Sequence, residues 1–267
     1  KRNEDKTKIV LDYFDERPTV FSYGNMPPIL QFPRPISAYL NELVKNNLVL
    51  GEMSEPKASK EDIVLWMPNY KDEEESQEFP HKAWGSERIL SLGRHPNFKK
   101  LDTLNEFTPK STWDALAPAW LSVDEENYHH KYRILPEVYR MLNVQKDDKI
   151  LDVACGKGDV ARDLAGSGAK VTGIDISKML EYAIEEEEKE KLGITYLELN
   201  AENIIDKFER ASFDKVVCNM ALMDIEDYKK TIQQISFVLR ENGIFVFSIT
   251  HPVFAYPTCT SVNISGR

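Results

Sequence analysis

The sequence contains only three cysteines, Cys155, Cys218 and Cys259, which are far apart in a chain of 267 residues. This spacing does not match a metal-ligand cluster and favours reduced thiols. The chain also lacks the run of roughly 20 apolar residues that a membrane-spanning helix needs. Residues 1–8 are mostly charged and lead into no apolar signal-peptide core. We therefore expect a cytoplasmic protein with no metal centre and no membrane partner.

Basic residues are in the minority, with 34 Lys and Arg against 44 Asp and Glu and a formal net charge of −10. Nucleic-acid binding relies on excess positive charge, so this balance favours a small-molecule partner over DNA or RNA. The hydrophobic fraction of 42% is sufficient for an ordinary globular core. We expect a monomer or a homodimer.

From residue 149 onward, short apolar segments alternate with amphipathic ones. The apolar segments predict strands at residues 149–153, 170–174, 194–199, 213–218 and 243–249. Helical patterns begin between them at residues 159, 178 and 228. Alternation of this kind is typical of a parallel sheet with helices on both faces. The sequence thus predicts a Rossmann-like α/β fold.

A glycine-containing turn, LDVACGKG at residues 151–158, directly follows the first strand and precedes a helix. Small residues there let a nucleoside-bearing ligand approach the backbone, and the helix start offers free N–H groups. Asp175 ends the second strand, where a carboxylate can accept both ribose hydroxyls. The alternative is a tight turn beside a solvent-facing Asp175, but turn chemistry alone does not require an acid at that position.

A nicotinamide or flavin site is a second alternative. The full G-x-G-x-x-G pattern is absent, because Ala154 precedes the pair Gly156 and Gly158 and Ala161 follows it. Asp152 would also repel a pyrophosphate, whereas it would attract a ligand that carries positive charge.

Several segments resemble class I methyltransferases that use S-adenosylmethionine. Residues 153–158 look like the first motif of that family, residues 200–202 its adenine segment, and residues 219–224 the segment after its fourth strand. The resemblance covers roughly residues 128–254. It implies methyl transfer from S-adenosylmethionine, with S-adenosylhomocysteine as product.

The resemblance also implies roles for individual residues. Asp175 would bind the ribose, Asn200 and Ala201 would contact adenine, and the methionine end would lie near Asp152, Gly156 and Asn219. On position alone, Tyr128 is expected to close the methionine end. The complete expected cofactor-binding set is Asp152, Ala154, Gly156, Gly158, Asp175, Ile176, Asn200, Ala201, Glu202, Asn219, Met220 and Tyr128.

The first part of the chain resembles the end of the same family, because residues 32–41 and 48–53 look like its last helix and sixth strand. This order suggests a circular permutation, with the former ends joined within residues 68–101. It predicts one domain over residues 1–267 with a seven-stranded, mostly parallel sheet. Residues 1–95 would supply the last two strands, 96–148 helices, and 149–267 the cofactor-binding core. A separate N-terminal domain is the alternative.

His251 follows the fifth strand and is the candidate general base, although it could equally be hydrogen-bonded within its turn. Trp113, Trp120 and Tyr256 are candidates for an acceptor pocket, although aromatics at helical spacing are often core. Transfer to a small molecule is the favoured function. A non-catalytic binding module remains an alternative. A nucleic-acid methyltransferase is disfavoured because residues 219–222, NMAL, lack the Asn/Asp-Pro-Pro-aromatic pattern.

Overall fold

The computed structural model describes residues 19–23, 29–32, 34–54, 108–122, 134–249 and 259–263. Residues 134–249 contain the central sheet and most of the helices that pack on it. None of the helices in the described ranges combines the length and apolar character that crossing a membrane requires.

The elements are numbered in chain order. The strands are β1 (Thr19–Tyr23), β2 (Ile29–Gln31), β3 (Lys149–Val153), β4 (Lys170–Asp175), β5 (Thr195–Glu198), β6 (Phe213–Asn219), β7 (Leu239–Ser248) and β8 (Cys259–Asn263). The helices are α1 (Ile36–Lys45), α2 (Pro109–Ser122), α3 (Leu135–Leu142), α4 (Asp159–Gly166), α5 (Met179–Lys189) and α6 (Tyr228–Val238). A 3₁₀ helix, Ala201–Asp206, follows β5.

The central sheet has the strand order β5-β4-β3-β6-β7, and every neighbouring pair is parallel. Leu151 of β3 lies opposite Thr172 on one side and Val216 on the other. The connections through α4, α5 and α6 make the parallel pairing possible, because a parallel neighbour needs a crossover. The predicted Rossmann-like sheet is confirmed for these five strands.

Alternate residues of the central strands point to opposite faces and build two hydrophobic clusters. Leu151 and Val216 pack on the face covered by α1 and α6. Ile150 and Val217 pack on the other face, under α3 and α4. All four side chains are fully buried. This burial on both faces explains why the strands are short, continuous apolar runs.

The prediction of a strand over residues 48–53 is wrong. The segment has no ladder partner within the described ranges. Leu48 packs against the core, but Val49 is 90% exposed and Met53 is 58% exposed. A strand is stable only when its backbone groups pair with a neighbour, and Glu52 instead binds the guanidinium of Arg140 on α3 at 2.6 Å.

The described part of the N-terminal region contributes a helix and a small antiparallel sheet rather than strands of the main sheet. The small sheet has the order β2-β1-β8, with Thr19 opposite Gln31 and Asn263. Helix α1 packs against the main core through Tyr39 and Leu43. The predicted junction within residues 68–101 lies outside the described ranges.

Candidate active site at the carboxyl edge of the sheet

The turn between β3 and α4 has three residues with a left-handed backbone, Ala154 at φ 56°, Gly156 at φ 56° and Gly158 at φ 88°. This conformation favours glycine, so Ala154 is a strained exception. At Gly158 a Cβ would also lie 2.5 Å from the Tyr196 hydroxyl, so a side chain there would require the tyrosine to move. The predicted order of strand, glycine turn and helix is present.

Asp175, the last residue of β4, holds this turn in place. One carboxylate oxygen accepts the backbone N–H of Gly156 at 2.8 Å. The other accepts the backbone N–H and the hydroxyl of Ser177, each at 2.7 Å. Asp175 is 8% exposed. A carboxylate has about four acceptor positions, so these three bonds leave it capacity for a further donor.

Asp152 lies deeper at the same edge and is 1% exposed. Its carboxylate accepts the backbone N–H of Ala161 in α4, whereas its Oδ2 has no hydrogen-bond partner among the described residues. Burial, and then the nearby carboxylates of Asp175 and Asp159, raise the pKa of Asp152 well above its ordinary value. A cation placed beside this group would offset both effects.

The segment after β5, residues 200–202, lies at the same edge of the sheet as Asp175. Asn200 caps the 3₁₀ helix by accepting the backbone N–H of Glu202 at 2.9 Å. Ala201 is buried. The carboxylate of Glu202 accepts the N–H of Asp227 at 3.0 Å, and its carbonyl accepts the side-chain amide of Gln234 at 2.6 Å. These bonds connect the segment after β5 to Asp227 at the start of α6 and to Gln234 within that helix.

The end of β6 is fixed by the end of β7. The Ser248 hydroxyl donates to the Asn219 side chain at 2.7 Å. The backbone N–H of Met220 donates to the Ser248 carbonyl at 3.0 Å, and Met220 takes up a left-handed backbone at φ 53°. A residue other than glycine in this conformation is held there by surrounding bonds.

The structure therefore brings most of the expected cofactor-binding residues to one edge, the carboxyl ends of four neighbouring strands. In open α/β sheets this is the edge where ligands bind. The residues at this edge are Asp152, Ala154, Gly156, Gly158, Asp175, Ile176, Asn200, Ala201, Glu202, Asn219 and Met220. Tyr128, His251 and Tyr256 lie outside the described residues, so their expected roles stay predictions.

Helix α2 is fastened over part of this edge. Lys110 donates to the Ile176 carbonyl and to the Glu198 carboxylate, the latter at 3.1 Å. Asp114 accepts the backbone N–H of Lys178 at 2.8 Å. These contacts place α2 beside the residues that directly follow β4.

Trp113 and Trp120 are seven residues apart on α2 and pack against each other. Their ring centroids are 5.8 Å apart with the planes at 85°, an edge-to-face contact. Both side chains are half-buried. They form one aromatic unit on the helix that borders the site, and their expected role in an acceptor pocket stays a prediction.

Sequence reasoning missed Lys110 and Asp114. Their spacing of four residues is typical of a solvated helical ion pair, and their Nζ–Oδ2 distance of 3.9 Å is compatible with one. Their contacts with the sheet edge depend on residues more than 60 positions away in the chain. Nothing in the local sequence distinguishes a solvated ion pair from a pair of residues that contacts the edge of the sheet.

Residues 144–256 match a family model described as a methyltransferase domain. The matched range contains every strand of the central sheet and the whole glycine turn.

Similar proteins include two quinone-pathway methyltransferases. The demethylmenaquinone methyltransferase of Oceanobacillus iheyensis is 32% identical over 111 residues, 40% of this chain and 46% of the relative. The ubiquinone biosynthesis O-methyltransferase of Histophilus somni is 31% identical over 124 residues, 45% of this chain and 52% of the relative. The chain spans about half the length of the curated relatives it matches.

Similar solved structures include an S-adenosylmethionine-dependent methyltransferase from Mesorhizobium loti. It is 30% identical, covers 43% of this chain and 52% of its own, and has a TM-score of 0.39.

Replacing Asp152 with asparagine is expected to raise the free energy of unfolding of the ligand-free protein at pH 7. A carboxyl group with a raised pKa in the folded state destabilises that state at every pH above its unfolded pKa of about 3.9. Asparagine keeps an oxygen for the Ala161 N–H but carries no charge. Urea denaturation at pH 7 and at pH 4 measures the effect, and the gain should shrink as the pH falls.

The matched control is Asp206→Asn, which changes an exposed aspartate at the end of the 3₁₀ helix. Its effect should stay within about 0.5 kcal/mol at both pH values. An Asp152→Asn variant that is less stable than wild type at pH 7 would contradict the assignment of Asp152 as a carboxyl group whose ionisation is disfavoured by burial.

Proposed function

We propose that this protein transfers a methyl group from S-adenosylmethionine to a small-molecule acceptor. The observation that carries the proposal is the pair of buried carboxylates at the ends of adjacent strands, Asp152 on β3 and Asp175 on β4. Asp175 is bonded to the glycine turn and Asp152 lies behind it. Asp152 is suited to contact a cation, and Asp175 is suited to bind a ribose.

The residues at the edge fit the chemistry of S-adenosylmethionine. Its ammonium and sulfonium are positive, and the acidic surroundings of Asp152 would stabilise positive charge and repel a pyrophosphate. Asp175 would accept a ribose hydroxyl at its remaining acceptor position, and Asn200, Ala201 and Glu202 would contact adenine. The methionine end would lie against Asp152, Gly156, Asn219 and Met220, closed by Tyr128.

S-adenosylmethionine supplies a methyl group that its sulfonium already activates. The protein's own residues then mainly align the reactants and exclude water. The bonds from Ser248 to Asn219 and Met220 hold one side of the site rigid. His251, which follows β7 in the chain, is proposed to accept a proton from the acceptor at its imidazole ring.

A small acceptor is supported by two independent features. The net charge of −10 disfavours a polyanionic substrate. The aromatic unit of Trp113 and Trp120 borders the edge on α2, where flat apolar surfaces suit a compact organic molecule. Together with Tyr256, these residues are proposed to line the acceptor pocket. The similar proteins named for menaquinone and ubiquinone pathways are consistent with this class.

Calorimetric titration with S-adenosylmethionine, S-adenosylhomocysteine and NAD tests the cofactor assignment. Wild type should bind the first two and not NAD. Asp175→Ala should weaken S-adenosylhomocysteine binding about 100-fold, since it removes one hydrogen bond from the ligand to a charged group and the bond that holds the Gly156 N–H of the turn. Asp175→Asn should also weaken binding while largely preserving the shape of the turn.

Asp214→Ala is the matched control, because Asp214 also accepts a backbone N–H, that of Lys149 at 2.7 Å, but at the opposite edge of the sheet. It should bind like wild type. NAD binding, or a folded wild type that ignores S-adenosylhomocysteine, would reject the proposal. A protein that binds cofactor yet forms no S-adenosylhomocysteine with any acceptor would be the non-catalytic module.

We further propose that residues 1–54 belong to the methyltransferase fold in permuted order. The Tyr39 ring of α1 lies 5.2 Å from that of Tyr228 on α6 and 6.0 Å from that of Phe247 on β7. Helix α1 thus covers the last strand of the main sheet, as a helix following that strand would. The pairing of β8 with β1 is consistent with this order.

Deletion of residues 1–54, and their transfer to follow residue 267, test the permutation. The deleted chain should lose S-adenosylhomocysteine binding because it uncovers the face formed by Tyr228 and Phe247. The rearranged chain should bind within about threefold of wild type. A deleted chain that folds and binds normally would support a separate N-terminal domain instead.

A further inference from the structure

Arg34 is a buried arginine that reaches across the fold to a loop almost 190 positions later in the chain. Its guanidinium donates to three backbone carbonyls, those of Leu222 at 3.3 Å and of Ile225 and Glu226 at 2.8 Å each. Arg34 itself is 6% exposed. Three bonds to carbonyls of one loop are a use of the guanidinium fork that a lysine ammonium cannot reproduce.

The loop it binds, residues 220–227, crosses the carboxyl edge of the sheet. It begins at Met220, whose left-handed backbone is held by Ser248. It ends at Asp227, whose N–H donates to the Glu202 carboxylate. The loop therefore connects the proposed methionine side of the site to its proposed adenine side.

The surroundings of Arg34 fix its side chain. The guanidinium carbon lies 4.3 Å from the Tyr228 ring centroid and 5.1 Å from that of Phe32, within the range of cation–π contacts. The backbone N–H of Phe32 adds a bond to the Met223 carbonyl at 3.1 Å. The strand-to-helix segment that carries Arg34 thus makes four hydrogen bonds to carbonyls of the same loop.

These contacts lie outside the expected cofactor-binding set, and Arg34 contacts the loop from the side of α1 and α6. The loop contains Met220 at one end and is bonded to Glu202 at the other, so a shift of its backbone would move both. Packed elements of this kind adopt discrete arrangements rather than deforming continuously.

We propose that Arg34 is a positioning residue that sets the conformation of the loop 220–227 and, through it, the affinity of the cofactor site. The effect of Arg34 on cofactor affinity rests on the proposed function. Its effect on the conformation of the loop does not. Arg34 acts through backbone carbonyls and touches neither reactant.

The test compares Arg34→Lys with Arg240→Lys. Arg240 pairs with Asp214 at the amino edge of the sheet, is half-exposed, and so controls for loss of an arginine fork far from the loop. Three quantities are measured for each variant: S-adenosylhomocysteine affinity by calorimetry, amide hydrogen exchange of residues 219–227, and the melting temperature.

Arg34→Lys should weaken S-adenosylhomocysteine binding about 3- to 30-fold, the range seen for residues that act through a coupled element. Exchange should speed up in residues 219–227 while the strands β3 and β4 keep their protection. Arg240→Lys should leave the affinity for S-adenosylhomocysteine and the exchange of residues 219–227 unchanged. An Arg34→Lys variant with wild-type affinity and wild-type loop exchange would overturn the proposal, as would exchange that rises uniformly over the domain.

A second variant guards against simple misfolding. Arg34→Ala should recover loop protection and affinity in dilute guanidinium but not in methylammonium at the same concentration, because only guanidinium restores the planar fork. Absence of any difference between the two additives would count against a positioning role. If wild type itself failed to bind S-adenosylhomocysteine, the proposed function would fall, and the loop-exchange comparison would still decide whether Arg34 holds the loop.

Discussion

Two carboxylates, Asp152 and Asp175, lie buried near the carboxyl ends of adjacent parallel strands, and the site is arranged around them. Asp175 fixes the glycine turn through the Gly156 N–H, which in turn fixes the start of α4. That helix then supplies the Ala161 N–H to Asp152. Asp152 thus depends on the geometry that Asp175 maintains, and burial together with the negative charge of Asp175 raises the pKa of Asp152.

The edge holding these carboxylates is bounded by parts of the chain that are far apart in sequence. Helix α2 is attached beside β4 by Lys110 and Asp114. Arg34 ties down the loop after β6. The central strands provide the fixed donors and acceptors, whereas these distant segments enclose the edge. A common α/β core can therefore serve different ligands by changes in the enclosing segments alone.

The sequence was informative where the signal is local. Short apolar runs predicted all five parallel strands, because strands buried on both faces carry continuous hydrophobic residues. The glycine turn and Asp175 were identifiable because backbone geometry restricts residue choice at Gly156 and Gly158. Residues 48–53 have the composition of a strand yet form none, because pairing depends on a neighbouring strand and not on propensity alone.

The roles of Arg34, Lys110 and Asp114 could not be predicted, because each bonds backbone groups that only the folded chain brings near. Ser248 fixes Asn219 and Met220 in the same way, across 28 or 29 residues of sequence. Burial is the main cause of the raised pKa of Asp152, and the further increase from Asp175 and Asp159 depends on their approach in three dimensions.

We propose that the buried carboxyl group of Asp152 faces the positive charge of the bound cofactor. The most direct measurement is calorimetry of S-adenosylmethionine binding at about pH 6, where an α-amino group is already protonated, in two buffers of different ionisation enthalpy. A cation beside Asp152 should lower its pKa, so wild type should release protons on binding and Asp152→Asn should release fewer. Full binding by wild type with no buffer dependence, or equal proton release by the variant, would contradict the account.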